Sequence, residues 1–194
     1  DGVEREVTGL PKDANIGQVY WAPDGSRFAF SVTEANGIGL WMVEVETAEA
    51  KVVDGVRLNR VFGGALIWLP DSQGLIVRTV CDDRGDPPES SRVPEGPVIQ
   101  ENIGKLAPSR TYQDLLKNAH DEALFEYYGT SQVALVNLDG RVTVMGKPEI
   151  ISRSDPSPDG QYILVEIIHR PFSYLLPSQR FPTRVVIWDR NGQE

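Results

Sequence analysis

Three times in this chain a β-prone run is interrupted by a turn built on Pro-Asp and a small residue, and no other feature restricts the possible folds as much. The copies are Trp21-Ala22-Pro23-Asp24-Gly25, Trp68-Leu69-Pro70-Asp71-Ser72 and Asp155-Pro156-Ser157-Pro158-Asp159-Gly160. Pro presets φ at the second turn position, and Asp followed by Gly or Ser supplies the polar side chain and permissive backbone that reverse a strand. The runs that follow, Arg27–Val32, Gly74–Val80 and Gln161–Ile168, are rich in β-branched and aromatic residues. They read as central strands of small sheets.

After the first turn, Gly39–Val45 and Ala50–Val53 complete a four-stranded antiparallel unit, and the next turn arrives 47 positions on, from Asp24 to Asp71. That period is close to the roughly 40–50 residues of a propeller blade. The following interval, 88 positions from Asp71 to Asp159, holds no intermediate turn motif and reads as one blade with an insertion. The insertion opens with the polar, Pro-rich Asp82–Pro88 and continues as loop to about Pro108. Thr111-Tyr112-Gln113-Asp114 then offers an N-cap, and Leu115, Leu116, Ala119, Ala123, Leu124 and Tyr127 fall at helical spacing before Gly129. This predicts one amphipathic helix, with a break near Asn118 allowed. Gln132–Leu138, Asp139-Gly140 and Arg141–Met145 form a hairpin with the Asp-Gly preference of a type I′ turn.

The expected fold class is therefore all-β: a β-propeller fragment of about three four-stranded antiparallel blades with one helical insertion. Blade 1 is expected at about 17–55, blade 2 at about 64–146 with its insertion at about 82–130, and blade 3 at about 149–194, incomplete. Glu6–Leu10 reads as the outer strand of a preceding blade, so both ends look cut from a longer structure. Trp21, Trp41, Trp68 and Trp188 are expected to fill space between blades.

A formal charge of -9 argues against a sequence-independent grip on nucleic acid, which needs Lys and Arg to displace counterions, and no apolar run is long enough to span a membrane. Neither nucleic acid nor membrane is expected as a partner, and no cofactor is implied. Cys81 is the only cysteine, so no internal disulfide can form, and it reads as a small buried residue. Asp82, Asp83 and Asp86 lack the alternating pattern and distal Glu of a calcium loop; no metal site is expected there. The Arg84-Gly85-Asp86 tripeptide is too short to assign a function.

Two longer stretches resemble a known family. Glu95–Asn102, followed by Arg110–Asn118 and Leu124–Tyr128, resembles an insertion of the glutamyl endopeptidase branch of prolyl-oligopeptidase-family (S9) serine peptidases, and His169–Tyr174 with Arg180-Phe181-Pro182 is a second match. The resemblance implies a hydrolase whose Ser-His-Asp triad lies in a separate α/β-hydrolase domain behind a Gly-x-Ser-x-Gly turn. This chain contains no such turn; neither Ser131 nor Ser173 has that setting, and His120 and His169 lack a matching constellation. It is thus expected to be inactive alone, gating and shaping the cavity for a peptide or unfolded-protein substrate beside its own hydrolase domain. Arg170 or Arg180 would hold an acidic substrate side chain by two parallel hydrogen bonds, with Tyr174 and Phe172 packing around it; structural loop roles are the alternative. The compartment stays open: bacterial periplasm or cytoplasm, or chloroplast stroma in a plant. A non-enzymatic propeller serving as a protein-binding scaffold would carry the same turns.

Overall fold

A computed structural model describes residue 2 and residues 4–89 and 115–194. The stretches 95–102 and 110–114 that carry part of the resemblance, and the Thr111 cap, lie outside the described residues. Strands β1 (Asn15–Trp21), β2 (Arg27–Glu34), β3 (Gly37–Glu44) and β4 (Glu49–Arg57) form one antiparallel meander. Strands β5 (Leu66–Trp68), β6 (Gly74–Thr79), β7 (Thr130–Asn137), β8 (Val142–Pro156), β9 (Tyr162–Ile168) and β10 (Thr183–Asp189) follow in one hydrogen-bonded order.

That second sheet is two units joined by one long strand. The sequence predicts a break between Met145 and Ile150, yet β8 runs unbroken for 15 residues. Its first part, to Ile150, pairs with β7, and its remainder, from Ile151, pairs with β9. The outer strand of one blade thereby continues directly as the inner strand of the next, because β7 and β9 offer backbone partners to successive stretches of the same extended chain.

Burial on both sides of the central unit stacks the three units face to face. On β6, Leu75 and Val77 point into a core shared with Ala29, Leu40 and Val56 of the first sheet, whereas Ile76 joins Ile163, Val165 and Trp188 in a second core. Alternate side chains of a strand leave on opposite faces, so one strand supplies both layers. This is the blade-on-blade packing of a β-propeller. Among the described residues no helix is long and apolar enough to cross a membrane.

The three turns repeat at atomic detail. Gly25, Ser72 and Gly160 donate their N–H groups to the carbonyls of Ala22, Leu69 and Ser157 at 2.9, 3.0 and 2.8 Å, closing each turn. The closing residue is left-handed in each, with φ of 71°, 59° and 67°. The Asp before it accepts the N–H two residues further on, Ser26, Gln73 or Gln161. The turns also join neighbouring blades: Asp24 N–H donates to Ser72 Oγ at 3.1 Å, and Arg190 donates to Gly160 O at 2.6 Å and Asp71 Oδ2 at 3.3 Å.

Three sequence expectations need correction. The Asp139-Gly140 hairpin is not type I′, which needs positive φ at both central residues; only Gly140 is left-handed, at φ 82°, after a turn closed from Gly140 N–H to Asn137 O. A single left-handed residue after an ordinary turn makes a bulged three-residue hairpin instead. Trp41, Trp68 and Trp188 are buried, but Trp21 is 58 % exposed, because Tyr20 and Ala22 take the face of β1 toward the second blade and alternation sends Trp21 to the other, where it packs on Phe28. The helix α1 spans Ala119–Gly129, and residues 115–117 are not helical. Asn118 caps it, accepting Asp121 N–H at 2.9 Å, while Asp121 accepts Lys117 N–H, so the permitted break is the helix start. Leu116 packs instead against Ile150, Ile168 and Phe181.

Candidate functional site

In an antiparallel meander the connections alternate between two edges of the stack. The Pro-Asp turns occupy one. The opposite edge carries the β2–β3 and β9–β10 connections, the β4–β5 link and α1, and is where the family resemblance had placed candidate residues.

An aromatic cluster fixes α1 there. Phe125 meets Phe62 of the β4–β5 link, and Phe172 and Phe181 of the β9–β10 loop, with ring centroids 5.9, 5.0 and 5.3 Å away. Edge-to-face rings of this kind add to the burial of Ile150 and Ile168 beneath them. An ion-pair cluster closes the same junction from outside. Arg170 Nε and Nη2 donate to the two oxygens of Glu126 at 2.7 and 3.0 Å, and Nη1 donates to Glu122. Its guanidinium also lies 4.9 Å from the Phe172 ring centre. Donation to Glu126, and then to Glu122, raises the Arg170 pKa above its already high ordinary value.

The structure therefore separates the residues singled out in the β9–β10 loop. Arg170 is engaged by two carboxylates of α1. Arg180, at the end of the 3-10 turn Ser178–Arg180, is exposed, and its side chain makes no hydrogen bond or ion pair among the described residues. Tyr174 is half-buried in the loop between them. Next to Tyr174 the loop exposes Leu175 and Leu176, whose N–H groups both donate to Ser173 Oγ at 3.1 Å. Cys81 is buried, and burial raises its thiol pKa, which makes it a poor nucleophile.

Two features were not foreseen from sequence. Arg78, on β6, is 3 % exposed. It donates to Ile151 O at 2.8 Å and Ser152 O at 2.6 Å in the third blade, and to Gly64 O in the β4–β5 link, and burial lowers its pKa. One cation thus ties three segments through carbonyl dipoles. An alternating strand pattern hides it, since Arg78 stands where an apolar residue would.

The second feature is a cleft of about 350 Å³ between the β2–β3 turn, the β4–β5 link and the end of α1. Arg57, Arg60, Arg84, Asn36 and Asn59 line it with Tyr128, and Ile38, Leu58, Val61 and Val80 form apolar wall; among the described residues no carboxylate lines it. Asn59 donates to the carbonyls of Tyr128 and Thr130, both at 2.9 Å, which anchors the end of α1 against the link. Arg84 lies over the Tyr127 ring, 4.3 Å from its centre, and Arg60 donates to Ser31 Oγ at 3.0 Å. Arg57 and Arg60 stand three positions apart where β4 ends, and Arg84 lies in the separate β6–α1 connection, so no motif announces all three.

No protein-family model matches the chain. It is 41% identical over 99% of its length to a probable chloroplastic glutamyl endopeptidase of Oryza sativa subsp. japonica. A protein of the same description from Arabidopsis thaliana is 39% identical over 98% of the chain. The chain spans about a fifth of the length of these curated relatives, 21% and 20%. Among solved structures, a eukaryotic initiation factor aligns with 96% of the chain and 32% of its own at a TM-score of 0.51 and 12% identity, a likeness of fold alone. The β-propeller domain of the Trilobed protease from Pyrococcus furiosus aligns with 91% of the chain and 41% of its own at a TM-score of 0.47 and 13% identity.

Proposed function

We propose, from the premise that this chain belongs to the prolyl-oligopeptidase family in its glutamyl endopeptidase branch, that it is the non-catalytic propeller portion of a serine endopeptidase cleaving after Glu. The observation that carries this reading is identity of about two residues in five with two such endopeptidases along essentially the whole chain. The names of both relatives place them in chloroplasts, which is the compartment expected here if the source is a plant.

On this reading the covalent chemistry belongs to an α/β-hydrolase domain elsewhere in the whole protein, and this segment is inactive alone. Its part is to restrict access: a wall of stacked blades shields the peptidase site from bulk water and excludes folded proteins, admitting peptides or unfolded chains. Arg180, with open donors, and Tyr174 remain the loop residues proposed to meet substrate. Arg170 is proposed to act on them indirectly, because its pairing with Glu122 and Glu126 sets where the β9–β10 loop lies.

The test is hydrolysis by the full-length protein of paired chromogenic peptides ending in Glu or Gln, with and without a serine-directed phosphonate. Inhibitor-sensitive cleavage that favours Glu is expected. Cleavage of neither peptide would overturn the reading in favour of a binding scaffold.

A further inference from the structure

The cleft between the first two blades has a chemistry that the reading above does not use. A chain of net charge -9 gathers three arginines there, with no carboxylate in the lining among the described residues. Among the described residues none of Arg57, Arg60 and Arg84 forms an ion pair. The neighbouring groove, which shares Arg57, holds Glu34, Asp54 and Asp82, so these three carboxylates lie outside the lining of the cleft.

Local structure holds these cations in place. The aliphatic stem of Arg57 covers Gly37 at the β2–β3 turn: a Cβ built on that glycine would meet Arg57 Cδ at 3.5 Å. Arg84 is oriented by stacking on Tyr127, whose hydroxyl donates to Gly85 O at 2.8 Å and so returns the loop to the helix. Asn59 takes up the carbonyls of Tyr128 and Thr130, which removes two acceptors that would repel an anion at the cleft edge. A planar guanidinium presents paired donors matched to a carboxylate, and that match strengthens where water is partly displaced.

We propose that this cleft is a carboxylate-binding subsite for the Glu side chain of a peptide, with Arg57 and Arg84 as its principal donors and Arg60, tied to Ser31, as the fixed background charge. The apolar wall of Ile38, Leu58, Val61 and Val80 favours a carboxylate carried on a methylene stem over a compact inorganic anion. The inference rests on the endopeptidase reading for the identity of its ligand as a peptide. It differs from that reading in placing acidic-residue recognition on the first two blades rather than on the β9–β10 loop.

The experiment measures binding rather than turnover in the full-length protein. Two fluorescein-labelled, C-terminally amidated hexapeptides that differ by one central Glu or Gln are titrated by fluorescence anisotropy at low salt. The Glu peptide is expected to bind about tenfold more tightly, the advantage expected of one charge-assisted guanidinium–carboxylate contact. Arg57→Gln with Arg84→Gln should abolish that preference and leave affinity for the Gln peptide unchanged. Arg57 is exposed and can be replaced without opening a core, and circular dichroism of the variant checks this. If the variant keeps the preference while cleavage after Glu persists, the subsite is overturned and the endopeptidase reading survives. If the wild-type protein cleaves neither peptide yet prefers Glu through these arginines, the subsite stands and the endopeptidase reading falls. A Gln peptide with a free C-terminal carboxylate that binds as tightly as the amidated Glu peptide would overturn the assignment to a side chain.

Discussion

Replacing Arg78 by Met tests how the blades are held together. The side chain is almost fully buried and contacts three backbone carbonyls rather than a carboxylate. Each charge-assisted bond is worth about 1.5–3 kcal/mol, while a buried cation costs several kcal/mol of lost hydration. Methionine fills much of the volume and carries no charge, so it recovers the hydration cost but strands carbonyls of Gly64, Ile151 and Ser152. The net loss should be about 2–4 kcal/mol, and with a urea m-value near 2 kcal/mol/M the unfolding midpoint should fall by roughly 1–2 M. Arg78→Lys keeps the charge but presents one ammonium in place of a fork, and should lose about half as much. Urea titration followed by fluorescence of the buried Trp41, Trp68 and Trp188 reads both variants. A Met variant with a midpoint at or above wild type would refute the reasoning, since desolvation would then outweigh the three bonds.

Ser72 sits at φ 59° and accepts Asp24 N–H through Oγ, so Ser72→Ala should cost about 1 kcal/mol, whereas Ser72→Gly relieves a comparable backbone strain and should be nearly neutral; denaturant midpoints give the order. Asp24, Asp159 and Asp189 are held below their ordinary carboxylate value of 3.8 by N–H or hydroxyl donors, chiefly the Ser26 N–H, the Ser157 hydroxyl and the Gln193 N–H. A lowered folded pKa means that their contribution is complete above the unfolded value and is lost as pH falls through the folded one. Stability should therefore decline from about pH 4 downward, and combined Asp24→Asn and Asp159→Asn changes should flatten the decline in an acid titration followed by circular dichroism. Phe125→Ala removes the ring that joins Phe62, Phe172 and Phe181, and should cost about 2 kcal/mol at this half-buried site. Hydrogen exchange should quicken in residues 119–129 and 169–182 and stay unchanged in β6, because the loss is confined to one edge.

The turn repeat and the alternation of its strands were sufficient to specify a propeller, because Pro, Asp and a left-handed-tolerant residue act within four positions and need no distant partner. The same local logic placed the strand Gln161–Ile168 and located the helix break at Asn118, whose side chain caps only its own neighbours. Local rules could not say that β8 would run on through Gly146 to Ile150, since that continuity comes from β7 and β9 offering partners in succession. Nor could they place Trp21 on the outer face, separate the engaged Arg170 from the open Arg180, or bury Arg78 among carbonyls that lie 14 to 74 positions away. The arginine cleft is the extreme case: Arg57 and Arg60, at the end of β4 and in the β4–β5 link, meet Arg84 of the β6–α1 connection only when antiparallel strands return both connections to one edge. The sequence by itself determined the repeating unit, whose forces act over a few residues; the tertiary structure decided which charges meet, because their partners are chosen by the stacking of blades.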